Sequence, residues 1–323
     1  MKHLERAFIG PNNFWRYLIM LLTVFIGGNM VGTIVVAATV IVKNGFQLNI
    51  ESMFDILNSG LSSWVIFALL LFTFAAMCVV FALLIKPLHQ RSLKGVINGR
   101  KHIRWNRVWV GIIVWGILNA VSLLVDVLWL DPENYRLQFN LATFIPLVFV
   151  VLLLLPFQTT FEELIFRGYL SQGVAVWTKN RWVTLVVIST VFGLMHAANP
   201  EIKEYGFALM MPQYIIMGLM LGLISILDDG IELAIGVHFV NNAFAALFVT
   251  HSSSAFQTDA VYEVMEIDPV ESLNLLLILS VIAFFMFWRI YKWDFGVLNK
   301  KVQHEQPSAG VDETILSNNS FRN

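Results

Sequence analysis

TTFEELIFRG (Thr159–Gly168) interrupts an apolar run. No charged residue lies between Arg136 and Glu162, and then two glutamates and an arginine arrive within six positions before the apolar pattern resumes. Charged side chains in an apolar setting are costly and tend to face a protein interior or a water-filled cavity, so the fold and the chemistry both turn on this stretch.

Around it, the 323-residue chain is 57% hydrophobic and only 13% charged, with mean hydropathy +0.71. Soluble domains average about 25% charged residues; this composition is that of a membrane protein. Predominantly apolar stretches near the ~20 residues that cross a bilayer occur at Tyr17–Val42, Trp64–Ile85, Val108–Leu130, Leu141 to about Trp177 (through the quoted motif), Trp182–Ala198, Tyr205–Leu227, Ile231–Val249 and Leu273–Trp288. Backbone groups in lipid must bond within their own segment, which makes these helices, and the alternating ten-residue segments of a β-barrel are absent. The expected fold is all-α: a polytopic membrane bundle of about eight transmembrane helices. The first apolar segment is too long for a removable signal peptide and lacks its small-residue cleavage pattern. The single cysteine, Cys78, lies inside the second, so no disulfide forms within the chain.

Lysine and arginine set the orientation. With the N-terminus inside, 18 of the 21 basic residues fall on one face, Arg167 and the cluster Lys86–Arg107 among them; only Lys43, Arg136 and Lys203 fall on the other. Both termini are therefore expected in the cytoplasm, in a bacterial cell membrane by preference. With a net charge of −1 and no exposed basic domain, no nucleic-acid partner is expected; the partners are membrane lipids and a membrane-associated peptide or protein substrate. The expected organisation is an N-terminal region at 1–140, a core at 141–250, an outer loop and last span at 251–301, and a disordered cytoplasmic tail at 302–323. The basic loop 86–107 reads as a topology determinant or a contact with anionic head groups. GNMVG (Gly28, Gly32) and GLMLG (Gly218, Gly222) are small-residue patterns for close helix packing.

Three pairs with helical spacing carry the polar chemistry: Glu163 with Arg167, Phe192 with His196, and His238 with Asn242. Residues four apart share a helix face, so Glu163 pairs with Arg167. Glu162 lies about 100° round from its neighbour, with nothing on its own helix to neutralise it at the following turn. Glu162 and His196 each lie about 22 Å of helical rise from the basic face. His238, at about 10 Å, matches them only if the short LDDGIE turn (Leu227–Glu232) lies deep or its helix tilts. A carboxylate, two histidines and an amide on three helices then share one cavity.

In these motifs the chain resembles the CPBP family of intramembrane proteases, which groups prenyl-protein (CAAX) endopeptidases with bacterial bacteriocin-processing and self-immunity proteins. The family's EExxxR, FxxxH and HxxxN stand here as Glu162-Glu163-x-x-x-Arg167, Phe192-x-x-x-His196 and His238-x-x-x-Asn242, in order, over roughly residues 141–250. The resemblance implies a membrane endopeptidase in which Glu162 and His196 activate a water, His238 and Asn242 stabilise the oxyanion, and Glu163, Arg167 and Phe192 support the site. The expected cut is made from the cytoplasmic side. Glu162, His196 and His238 are also a donor set of the kind that makes an open zinc site, although HExxH is absent; zinc-dependent and metal-free hydrolysis both stay open. Two rival readings use the same residues: a non-catalytic immunity or scaffold protein, and a small transporter relaying protons through the buried carboxylate.

Overall fold

A computed structural model describes residues 2–44 and 60–304. The residues form a helical bundle in which six helices are long and apolar enough to cross a membrane. The long helices are α1 (Phe14–Asn44), α2 (Ser63–His89), α4 (Trp105–Val125), α5 (Leu141–Glu163), α9 (Phe207–Leu227) and α11 (Pro269–Tyr291). Two further apolar helices are shorter, α7 (Arg181–Met195) and α10 (Glu232–Leu247). These two were read from sequence as full spans; 15 and 16 residues rise only about 22–24 Å. Of the eight expected spans, six are thus long and apolar enough to cross a membrane among the described residues, and two are apolar but shorter. Short helices α3 (Leu93–Ile97), α6 (Ser171–Thr178) and α8 (Pro200–Tyr205) complete the set.

Local chemistry starts and stops these helices. Asn140, Asn180 and Asp268 stand at N-caps, and each side chain accepts backbone N–H bonds from the first turn, satisfying donors that a helix start leaves free. Lys179, in the left-handed region at φ 56°, ends α6 and turns the chain directly into α7.

Small residues set the helix spacing. A Cβ on Gly28 or Gly32 would collide with Met77 or Thr73, bringing α1 against α2, and Gly218 and Gly222 admit Ser189 and Leu185 of α7 against α9. The contact between α4 and α10 depends on a further pair: Gly236 lies against the Val108 carbonyl, and a Cβ on Gly111 would come within 2.6 Å of the Leu233 carbonyl.

Two caps close the bundle. At one, three short strands, Tyr135–Leu137, Val249–Thr250 and Tyr262–Val264, form a sheet with the last in the middle, antiparallel to the first and parallel to the second. The other cap gathers the described N-terminus, residues 86–104, the α6–α7 turn and residues 292–304. Here the 86–107 segment, read from sequence as a topology determinant, also packs into the fold. Arg91 is buried and donates to Gln172. Arg104 grips Asp228 at 3.0 Å and Glu232 at 2.6 Å, and Arg107 reaches Asp228 at 3.1 Å. These residues hold the LDDGIE turn, whose Gly230 bridges to Asn98 and whose Ile231 N–H bonds to the Ile97 carbonyl. The turn is packed beneath these residues, with Asp228, Gly230, Ile231 and Glu232 buried. The tail expectation is also corrected in part: Val302 is buried and its N–H bonds to the Lys179 carbonyl. Residues 305–323 of that expected tail lie outside the described residues.

Residues 3–9 are tucked into the same cap. The His3 backbone N–H donates to Asp229 at 2.6 Å, its ring meets the Val96 carbonyl at 2.8 Å, and Glu5 pairs with Arg181. Burial holds the His3 imidazole below its ordinary value. An imidazole depressed in the fold contributes stability above its unfolded value, near pH 6.5, that is lost as pH falls toward the folded value. The unfolding temperature in detergent is therefore expected to drop from about pH 7 toward about pH 5, less steeply in His3→Gln. A second expectation follows from the α4–α10 contact. Gly236→Val overpacks it and is expected to cost about 1–3 kcal/mol, read as a lowered unfolding temperature, while Gly27→Ala, whose added Cβ meets only Val80 at 4.0 Å, costs less.

Candidate active site

Helix α5 does not end at the glutamates; it passes without a break into a π-helical turn, Leu164–Leu170, and then into α6. Widened turns of this kind are frequent at functional sites. Gly168 is pressed against Val96 at this turn, and Ser171 Oγ donates to the Phe166 carbonyl at 2.8 Å, filling an acceptor in the widened backbone.

Glu163 and Arg167 face inward from it, 0% and 1% exposed, with Nη1 to Oε1 at 2.8 Å. The same Oε1 also accepts from His238 Nδ1 at 2.7 Å. The carboxylate expected to serve Arg167 alone therefore serves two partners. Arg167 is held further by the Gly218 carbonyl at 3.4 Å and by the Phe192 ring 4.0 Å below its guanidinium. Buried ions are stable only when paired and hydrogen-bonded in this way, and the aromatic face adds a cation–π contact.

The Glu163 contact assigns the proton on His238. With Nδ1–H donating to a carboxylate, Nε2 is left as the second nitrogen. It sits 3.3 Å from the Asn242 amide and 3.7 Å from Glu162 Oε2. Glu162 points away from its neighbour, as its angular offset required. Its Oε1 accepts from Gln158 Nε2 at 2.5 Å, and Gln158 Oε1 in turn accepts from Asn242 at 3.1 Å. Glu162 Oε2 has no hydrogen-bond partner among the described residues.

His196 stands at the far end of α7. Its Nδ1 meets the Phe192 carbonyl at 2.8 Å, and its ring stacks on Tyr214 with centroids 4.5 Å apart and planes 18° from parallel. With Nδ1–H donating, Nε2 is the nitrogen available to water or substrate. Tyr214 is held by Asn199, 3.1 Å from its hydroxyl.

Glu162, Phe192, His196, His238 and Asn242 all line one cavity of about 300 Å³, with Gln158, Asn199, Glu201, Tyr214 and Asn241 between them. Glu163 and Arg167 lie behind its wall, so Arg167, assigned from sequence to the basic face, is instead a buried mid-bundle residue. The loop-borne lining, Asn199, Glu201, Ala255 and Phe256, comes from the cap opposite the described N-terminus, because short α7 carries His196 to that side. A second cavity, about 340 Å³ between Ser63, His251 and Asp259, holds none of the motif residues.

Sequence reasoning missed Gln158, Asn199, Glu201, Tyr214 and Asn241. Gln158 had a signal, four residues before Glu162 and on its face; Asn241, which accepts from Trp115 and donates to Asn242, adjoins a motif residue. Tyr214 and Glu201 had none. As for a metal, among the described residues no three of His, Cys, Asp or Glu are grouped as a metal centre needs. Glu162 and His238 approach each other, but no third such donor joins them among the described residues, so the donor set does not fit zinc in this arrangement.

The family described as type II CAAX prenyl endopeptidase Rce1-like matches residues 143–244, the stretch that contains all three motifs. The chain is also 30% identical over 262 residues to the uncharacterized protein YyaK of Bacillus subtilis (strain 168), a match covering 79% of this chain and 85% of that one. No solved structure matches it significantly. The chain belongs to the Rce1-like family of type II CAAX prenyl endopeptidases.

Removing one member of a buried ion pair leaves the other uncompensated, at about 3–5 kcal/mol. Arg167→Met is therefore expected to unfold the bundle at markedly lower temperature, and Glu163→Gln added to it is expected to restore part of the loss. Equal unfolding temperatures for Arg167→Met and wild type would contradict the geometry.

Proposed function

We propose that the chain is an intramembrane endopeptidase that hydrolyses a peptide bond in a membrane-associated or lipid-linked substrate, with Glu162 as the general base. Family membership supports the reaction class. The single observation that carries the residue assignment is Glu162 Oε2: on a cavity-lining side chain whose other oxygen is pinned by Gln158, it has no hydrogen-bond partner among the described residues and stands 3.7 Å from His238 Nε2.

A water held between Glu162 Oε2 and His196 Nε2 loses its proton to the carboxylate as its oxygen attacks the substrate carbonyl carbon. A carboxylate shielded from bulk water is a competent base for this step. The oxyanion that forms is met by the Asn242 amide and by His238. A proton on His238 Nε2 makes an imidazolium whose charge Glu163 balances, and that N–H then donates to the oxyanion. Collapse breaks the C–N bond, and Glu162 returns the proton to the leaving amine. Each residue is thus assigned a step, none of which passes through a metal. We place the protein in a bacterial cell membrane with both termini in the cytoplasm, on the strength of the basic residues gathered at one cap.

Cleavage of membrane peptides by the purified protein in detergent tests the reading. Glu162→Gln is expected to fold normally and to lose kcat by at least about 10²–10⁴, His196→Ala to lose it comparably, and Asn242→Ala by about 10²–10³, the usual loss for one oxyanion donor. A chelator is expected to leave the wild-type rate unchanged. Cleavage that survives in Glu162→Gln sinks the assignment.

A further inference from the structure

The cavity holds a second carboxylate that the hydrolytic scheme does not use. Glu201, at the start of α8, is 8% exposed and lines the same cavity as Glu162. Its Oε1 accepts the Ala255 N–H at 2.7 Å, which ties the 251–257 loop over the cavity, while Oε2 is buried with no hydrogen-bond partner among the described residues. The Tyr214 hydroxyl lies within hydrogen-bonding reach of this carboxylate.

Holding a loop N–H needs only a neutral carbonyl, which glutamine supplies. A buried carboxylate costs more than a neutral acceptor unless a cation meets it, and the protein provides none. No lysine or arginine pairs with Glu201 among the described residues, and no lysine or arginine lines the cavity. His251 is within electrostatic reach, yet burial holds that imidazole below its ordinary value, so near neutrality it stays uncharged. The remaining walls are four amides, His196 and His238, the apolar Met217, Ala245 and Ala255, and aromatic faces, among them Tyr214 and Phe256; such faces also suit a cation.

We propose that Glu201 is a specificity-determining residue whose free oxygen receives a cationic side chain, so that the preferred substrate carries lysine or arginine close to the bond that is cut. The inference rests on the reading of this cavity as the substrate site.

Binding tests this separately from cleavage. The probe is an N-myristoylated decapeptide of alanine and leucine carrying one lysine, scanned along its length, against the same peptides with norleucine. Affinity is measured in detergent on Glu162→Gln, which removes the other cavity carboxylate, and on Glu162→Gln/Glu201→Gln, where the amide still accepts from Ala255. At one or two positions lysine is expected to bind roughly tenfold tighter than norleucine, the worth of a charge-assisted hydrogen bond, and the preference is expected to vanish in the double variant. Equal affinities at every position, or a lysine preference that survives Glu201→Gln, overturns the proposal. A preference that depends on Glu201 supports it whether or not wild type cuts the same peptides; absent cleavage bears on the protease reading alone.

Discussion

One buried oxygen organises the centre of this molecule. Glu163 Oε1 is shared by Arg167 on its own helical stretch and His238 on α10, in surroundings where an unpaired charge would be unsupportable. The requirement that this charge be met from two sides fixes how α5, the π-helical turn and α10 sit against one another. It also orients the His238 ring, since a nitrogen that donates to Glu163 leaves the other facing Glu162 and Asn242. Neutralisation of one glutamate is thus what frees its neighbour. Glu162 is held at one oxygen by a neutral amide and keeps the other free of hydrogen bonds among the described residues.

The same principle recurs at the cap that holds the described N-terminus. Asp228 and Glu232 flank the turn into α10 and are met by Arg104 and Arg107 from the start of α4, while Trp293 donates to Asp228 at 3.1 Å. This cluster anchors the start of the helix that carries His238 and Asn242. Backbone contacts through Gly111 and Gly236 then hold α10 against α4, so a site in the middle of the bundle is supported by ionic contacts at its end. Long apolar helices supply the frame, and a few charged junctions set its internal register.

Much of this was legible in the residues. The i to i+4 spacing of Glu163 and Arg167 and the angular offset of Glu162 translate directly into one shielded and one cavity-facing carboxylate. Apolar length located the helices, because helical rise and bilayer thickness are fixed quantities. What escaped depends on tertiary contact. Tyr214 stacks on His196 from a different helix, and Glu201 reaches the cavity from a short loop helix; neither has a spacing that ties it to a motif. Gln158 was passed over because an amide in an apolar helix reads as neutral filler until its two partners are known. The basic 86–107 segment looked like a surface loop because a run of arginines does not disclose that buried aspartate and glutamate await two of them elsewhere in the chain.

The account stands on Glu162 acting on water and not on the substrate carbonyl itself. The most direct measurement is a single turnover of a cleaved membrane peptide in ¹⁸O-labelled water, with mass spectrometry of both the product and the peptide containing Glu162. If Glu162 is the base, the label enters the new product carboxylate in the first turnover and Glu162 stays unlabelled. Label in the Glu162 carboxylate, with an unlabelled first-turnover product, would mean that the glutamate attacked the peptide, and would contradict the mechanism.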